Sequence, residues 1–388
     1  MLSELKKLNL NGTSRFRTVD DRYKLLADIG SGRFGHVHLA FDTRTESFVA
    51  LKELKDADSL SSLENFLFEI ESLVAVKRAN ACSNVTSILS FGFSPEFGAY
   101  YTTSFVGLSN FFEFLEAGGD LSEDMARFFF GQLLECVSKL HQLGLAHLDI
   151  KPENILISED LQLFICDFGS AKKLSEKLDE MLNLSQEYSA PEMYEREELA
   201  LLCKGEKGLD FRRMDSFALG VVLFVMLFKS NPFRKADKSD PYYHKLMTDP
   251  SGFWKIFNSI RTISHDLLNL LEELLTSPAS KRPLPQQLLK YSWVNNHGEG
   301  FSIDKGVNKN LIIHFQQRAR MIIQQFEERK KRSAIEKGVK NSKDGSEIMR
   351  RFIRLNEKKI AKIRKLMSVE RTSSSDSGSA SSEELTPK

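Results

Sequence analysis

Cysteine is scarce: four residues in 388, Cys82, Cys136, Cys166 and Cys203, with no C-x-x-C pair and no metal-ligand spacing. That argues against a zinc or disulfide framework and fits a reducing compartment. Long apolar runs are lacking as well. The longest, FALGVVLFVMLF at 217–228, is about twelve residues against the roughly 20 a membrane helix needs, so it reads as a buried core helix. The start, MLSELKKLNLNG, has neither an apolar core nor a small-residue cleavage site. No secretory signal and no stable membrane insertion are expected, which leaves a soluble chain of the cytoplasm, the nucleus or both. No internal repeat is present.

Apolar residues make up 41% and charged residues 28%, which suits a globular fold for most of the chain. Net charge is +1 but unevenly spread: residues 296–388 carry a balance of +9 and residues 1–295 a balance of −8. An acidic body with a basic appendage is the reading.

Along the chain, YKLLADIGSGRFGHVHLAFD (23–42) alternates and is broken by glycines, as two short strands around a turn would be. ESFVALKEL (46–54) and GAYYTTSFV (98–106) are further strands. SSLENFLFEIESLVAV (61–76) places Phe66, Ile70, Leu73 and Val74 at helical spacing behind capping serines. DMARFFFGQLLECVSKLHQLG (124–144) reads as a helix ending at a glycine. Short strands at 154–157 and 162–166 follow, then the apolar helix and further helices to about Trp293. A β-rich front and a helical back make an α+β fold with two lobes.

Gly30, Gly32, Gly35 and Val37 form a G-x-G-x-x-G-x-V pattern between two strands, not between a strand and a helix as a dinucleotide fold requires. Glycines mark many tight turns, so the pattern is weak alone. Lacking side chains, they let the backbone approach polyphosphate oxygens. Fifteen residues after Val37 comes Lys52 in VALK, followed by AHLDIKPEN, then DFG at Asp167, Phe168 and Gly169, YSAPE (188–192) and DSFALG (215–220).

In these ordered motifs the chain resembles a eukaryotic protein kinase over residues 22–294. The resemblance implies a two-lobed kinase fold, ATP and Mg²⁺ as cofactors, and protein substrates. Phosphoryl transfer asks mainly for positioning and charge compensation. Lys52 would supply a fixed positive charge for the α- and β-phosphates, held by Glu69. Glu71 lies two positions on, about 200° around a helix, so both cannot face inward; Leu73, one turn beyond Glu69, favours Glu69. Glu71 is expected on a solvated face. Asp167 and Asn154 offer hard oxygen ligands for Mg²⁺. Asp149 is the carboxylate for the substrate hydroxyl. Lys151 would steady the transferring group, and a lysine there resembles the serine/threonine branch. Ile29, Val37, Ala50 and Leu156 would enclose adenine, with Thr103 at the back, and Gly30, Ser31, Gly32 and Gly35 would cover the phosphates. Ser185 resembles the hydroxyl bridging Asp149 and Lys151. Glu192 with Arg282, and Asp215, resemble structural supports.

Leu148 stands where most relatives carry an arginine that can grip an activation-segment phosphate bidentately. Leucine has no donors, so activity independent of such a phosphate is expected. The alternative class is a pseudokinase scaffold; the survival of Lys52, Asp149, Asn154 and Asp167 speaks for catalysis.

Residues 1–21 read as a lead-in and 295–371 as a basic helical extension. Ile312, Phe315, Ala319, Ile322 and Phe326 form one helical stripe, and Met349, Ile353, Ile360, Ile363 and Met367 another with a basic polar face. Such helices suit packing on the back lobe, a calmodulin-like partner, an acidic membrane surface, or, through RKKR at 329–332, nuclear import. No aromatic interleaving favours nucleic acid. The serine-rich stretch 372–388 is expected to be disordered, and DSGSAS within it resembles a phosphorylation-dependent degradation signal.

Overall fold

Alternation along the third long strand sets the plan of the front lobe. In SFVALKEL, Val49 and Leu51 turn to one side of the sheet and Ala50 and Lys52 to the other. In this computed structural model, residues 17–31, 35–54, 59–94, 97–107, 109–117, 121–176, 184–194, 209–295 and 357–368 are described, with single positions at 313, 317, 320, 321, 324, 353 and 354. The front sheet comprises β1 (Thr18–Val19), β2 (Tyr23–Ser31), β3 (Gly35–Asp42), β4 (Ser47–Leu54), β5 (Ile88–Ser94) and β6 (Gly98–Ser104). Its order is β1-β2-β3-β4-β6-β5, antiparallel throughout. Val49 and Leu51 join Tyr23, Phe97 and Tyr100 in a small outer cluster, while the other face belongs to the main core.

Helix α1 (Leu60–Ala79) covers the inner face. Ser59 caps it by accepting from the Ser62 amide, and Asn80, with φ 46°, ends it. The chain then passes through α2 (Phe111–Ala117) and α3 (Glu123–Gln142), the latter capped by Ser122. Short strands follow: β7 (Ser109–Asn110) and β10 (Leu163–Ile165) flank β9 (Ile155–Ile157), and β8 (Leu145–Ala146) pairs β11 (Lys172–Lys173).

The apolar run lies inside α4 (Phe211–Phe228), which is buried along almost its whole length. It packs on α3 and on α7 (His265–Leu274). At Gly220 a Cβ would stand 2.7 Å from Leu274 Cβ, so the two helices meet only because that side chain is missing. The helices α5 (Pro241–Thr248) and α6 (Pro250–Asn258) close the back lobe, followed by single turns at 285–288 and 292–295. A last helix, α8 (Glu357–Ser368), returns to pack on α1.

Among the described residues, Cys82, Cys136 and Cys166 are free thiols. Cys82 Sγ lies 3.1 Å from Cys136 Sγ, linking the loop after α1 to α3. No helix among the described residues is long and apolar enough to cross a membrane. The stripe from Ile312 to Phe326 and the stretch 372–388 lie outside the described residues.

Candidate active site

The cleft between the lobes is built on one lysine. Pairing of β3, β4 and β6 sets Lys52 between Val37 and Tyr101. From there its Nζ reaches Glu69 Oε1 of α1 at 2.7 Å and Asp167 Oδ1 at 2.8 Å. Glu69 also accepts from the Tyr101 hydroxyl at 2.7 Å. Lys52 is 7% exposed and Glu69 1%, so these charges are desolvated and the pairing must compensate. Burial disfavours the Lys52 ammonium, but Asp167 and Glu69 more than offset it and hold its pKa well above the ordinary lysine value. Burial pushes the Glu69 carboxyl upward, and Lys52 only partly opposes this. Burial would likewise raise Asp167, yet the Lys52 ammonium brings it down to about 2. Asp167 is therefore a carboxylate at any physiological pH.

The second group sits on the loop between β8 and β9. Asp149 Oδ2 accepts from Lys151 Nζ at 2.9 Å and from Asn154 Nδ2 at 2.8 Å. Ser185 Oγ donates to Asp149 Oδ1 at 2.8 Å and accepts from Lys151 Nζ at 2.6 Å, so the serine bridges the pair. Asn154 Nδ2 also donates to the Asp149 carbonyl at 2.9 Å, which turns the amide oxygen into the atom left for another ligand. The loop itself hangs on Asp215, 0% exposed, which accepts from the amides of His147 (2.9 Å) and Leu148 (2.8 Å). Leu148 and Asp167 both take left-handed backbone, φ 64° and 62°, a conformation that costs free energy in non-glycine residues and persists where surrounding bonds enforce it. The Leu148 side chain is buried in the core.

These parts face one cleft of about 590 Å³. Ile29, Gly30, Ser31, Gly35, Val37, Ala50, Thr103 and Leu156 line it together with Lys52, Asp149, Lys151, Asn154 and Asp167. Glu69 lies behind Lys52 and does not line it, and Gly32 falls outside the described residues. Gly35 has a packing reason as well: a Cβ there would stand 2.1 Å from the Glu53 carbonyl oxygen. Deeper in the back lobe, Arg282 reaches Glu192 at 2.8 and 3.2 Å, with both residues buried.

Residues 23–294 match the family model for the protein kinase domain. The chain belongs to the protein kinase family. Curated relatives include the serine/threonine-protein kinase SAPK3 of Oryza sativa subsp. indica, 30% identical over 280 residues, which is 71% of this chain and 78% of the relative. The serine/threonine-protein kinase SRK2I of Arabidopsis thaliana is 31% identical over 277 residues, 70% of this chain and 72% of its own length. A PAS domain-containing serine/threonine-protein kinase of Mus musculus is 28% identical over 283 residues, but these are only 18% of that relative. The protein is a serine/threonine kinase, and the family generally uses ATP and Mg²⁺.

Three features of this kinase site escaped the sequence reading. Tyr101 holds Glu69 from a neighbouring strand, a contact that depends on the β4–β6 register. His141 Nε2 sits 2.8 Å from Asp215 Oδ2 and adds a further partner beneath the loop. Cys166 lines the cleft beside Asp167, and burial pushes its thiol up to about 12, which keeps it neutral. A helical hydrophobic pattern could have flagged His141 as inward-facing on α3; neither of the others leaves a local signal.

Proposed function

We propose that the kinase binds ATP with Mg²⁺ in this cleft and that Asp149 orients a serine or threonine hydroxyl of a protein substrate toward the terminal phosphate. The observation carrying this reading is the double contact of Lys52 with Glu69 and Asp167 in the same cleft that Asp149 faces. An ammonium fixed at two points costs little reorganisation when it meets phosphate oxygens. Asp149, held by Asn154 and Ser185, presents a carboxylate that accepts the hydroxyl proton, while Lys151 places its charge beside the transferring group. Ile29, Val37, Ala50 and Leu156 supply an apolar slot for a flat base.

The donor set suits the metal. Asp167 and the free oxygen of Asn154 are two hard ligands, and Mg²⁺ is commonly held by one or two protein oxygens together with phosphates. When bound, it would supply charge neutralisation at the phosphate oxygens.

The reading extends to regulation: activity independent of activation-segment phosphorylation. Leu148 supports it, since a buried side chain without donors offers a phosphate nothing. A basic-helix partner, calmodulin-like or otherwise acidic, belongs to the same proposal for the extension. It would have to compete with the contacts that the apolar side of α8 already makes.

The test is magnesium-dependent phosphate transfer from ATP to a serine/threonine peptide mixture by the full chain. Asp149→Asn should cut kcat by about 10²–10⁴-fold with nucleotide binding retained. Equal rates for the two proteins would exclude Asp149 from the reaction. Nucleotide binding without transfer in the wild type would favour the scaffold reading.

A further inference from the structure

Helix α8 is rich in lysine and arginine, yet Ile360 and Ile363 on it are 3% and 2% exposed. They are buried in the main core, and Ile353, Leu366 and Met367 pack on that core beside them. A twelve-residue basic helix is marginal alone in water, so this packing is what holds it. The element it packs against is α1.

Two polar contacts fix the register. Lys359 Nζ lies 3.0 Å from Glu71 Oε2 on α1. The Arg364 guanidinium stands 5.6 Å from the centre of the Phe91 ring on β5. Glu71 is two residues beyond Glu69, so it leaves α1 about 200° from the side that holds Lys52. Helix α8 thus grips the back of α1 and the neighbouring strand, while the front of α1 carries the Lys52 contact. An inward carboxylate needs α1 seated against the sheet, and a residue on its rear face is one way to seat it.

We propose that residues 357–368 dock on α1 as an intramolecular brace, with Lys359, Ile360 and Ile363 acting as positioning residues that keep Glu69 on Lys52. The brace acts on the phosphotransfer proposed above and therefore rests on that reading. It also answers the want of a phosphate anchor at Leu148: the front lobe is seated from the C-terminal side rather than through the activation segment. One lysine of α8 has a use in this arrangement, since Lys359 meets Glu71.

The experiment uses the full chain and two readouts, hydrogen exchange of the α1 amides and steady-state kinetics. Ile360→Asp with Ile363→Asp should accelerate α1 exchange and lower kcat by about tenfold or more, because a two-state seat loses the burial that favours it. Lys359→Glu and Glu71→Lys should each lower kcat by about two- to fivefold, a surface pair being weak. Their combination should recover most of the loss, which damage to packing alone would not do. Unchanged α1 exchange in the isoleucine variant overturns the brace, and so does a rise in kcat, which would make the helix inhibitory. If the wild-type chain transfers no phosphate, α1 exchange still decides the docking, and only the reading of the cleft falls.

Discussion

Two buried ion pairs, one in each lobe, solve the same electrostatic problem differently. Arg282 spends its guanidinium on Glu192, on the carbonyls of Arg213 (2.7 Å) and Thr276 (3.0 Å), and lies 4.9 Å from the Phe217 ring centre. It is 0% exposed, and both terminal nitrogens of its planar fork are bonded, while its buried Nε has no hydrogen-bond partner. Lys52 instead shares a compact ammonium between two carboxylates at the edge of a cleft. Two acids against one base leave a net negative charge there, which suits an incoming metal cation. The first pair is a fixed joint. The second lies open to the cleft on one side.

Stability should separate the two most. Arg282→Leu strands the Glu192 carboxylate in the core and should cost about 3–5 kcal/mol in urea or thermal unfolding. Lys52→Met should cost clearly less, because burial already raises the Glu69 pKa and that group can take a proton instead. Equal losses in the two variants would mean that the cleft pair is as rigid as the deep one.

Acid should find the cleft pair next. The Asp167 carboxyl is held at about 2 in the fold against an ordinary value of 3.8. A lowered folded pKa means stability that is present above the unfolded value and drains away as pH falls from there toward the folded one. The shift is worth roughly 2 kcal/mol. Between pH about 4 and about 2, the unfolding free energy of the wild type should fall more steeply than that of Asp167→Asn. Parallel slopes would remove Asp167 from the acid response.

How much of this was readable in advance follows contact distance along the chain. Capping serines, alternating β4 and the apolar run of α4 are local patterns, and each of those elements forms close to its expected bounds. Strand β5 was missed, because its polar serines and Gly92 blur the alternation. At the cleft, helical angle together with Leu73 one turn on separated Glu69 from Glu71, and Lys52 bonds the former. That same angle sent Glu71 to solvent, whereas Lys359 meets it. No local pattern could bring residue 359 to residue 71. Tyr101 was lost for the same reason: strand register is set by the whole sheet.

Tyr101→Phe tests the cleft pair more gently. It deletes one hydroxyl donated to Glu69 inside the core and should cost about 1–2 kcal/mol of stability. Glu69 would then lean on Lys52 alone, so kcat should fall a few-fold while the peptide KM stays level. A KM change with unaltered kcat would show that Tyr101 shapes the cleft wall and leaves Glu69 unaffected.

The smallest expected effect is the most telling for regulation. Leu148 donates its amide to Asp215 and buries an apolar side chain where a guanidinium could have stood. Of the two nearby cations, Lys172 and Lys173, neither has a fork, and Lys173 lies 5.7 Å from the centre of the Phe68 ring on α1 and is engaged there. A phosphate on Ser170 or Ser175 would meet no fork that matches its geometry, so its gain in order should be slight. Alanine at the exposed Ser175 should leave kcat/KM within about twofold, since surface changes away from special features seldom exceed half a kcal/mol, whereas Ser170 lines the cleft and is judged by whether aspartate restores what alanine loses. Ser185 is no part of this test, because its hydroxyl bridges Asp149 and Lys151 directly. A large loss at Ser170 or Ser175 that aspartate restores would return control to the activation segment, and the front lobe would then be seated from both sides.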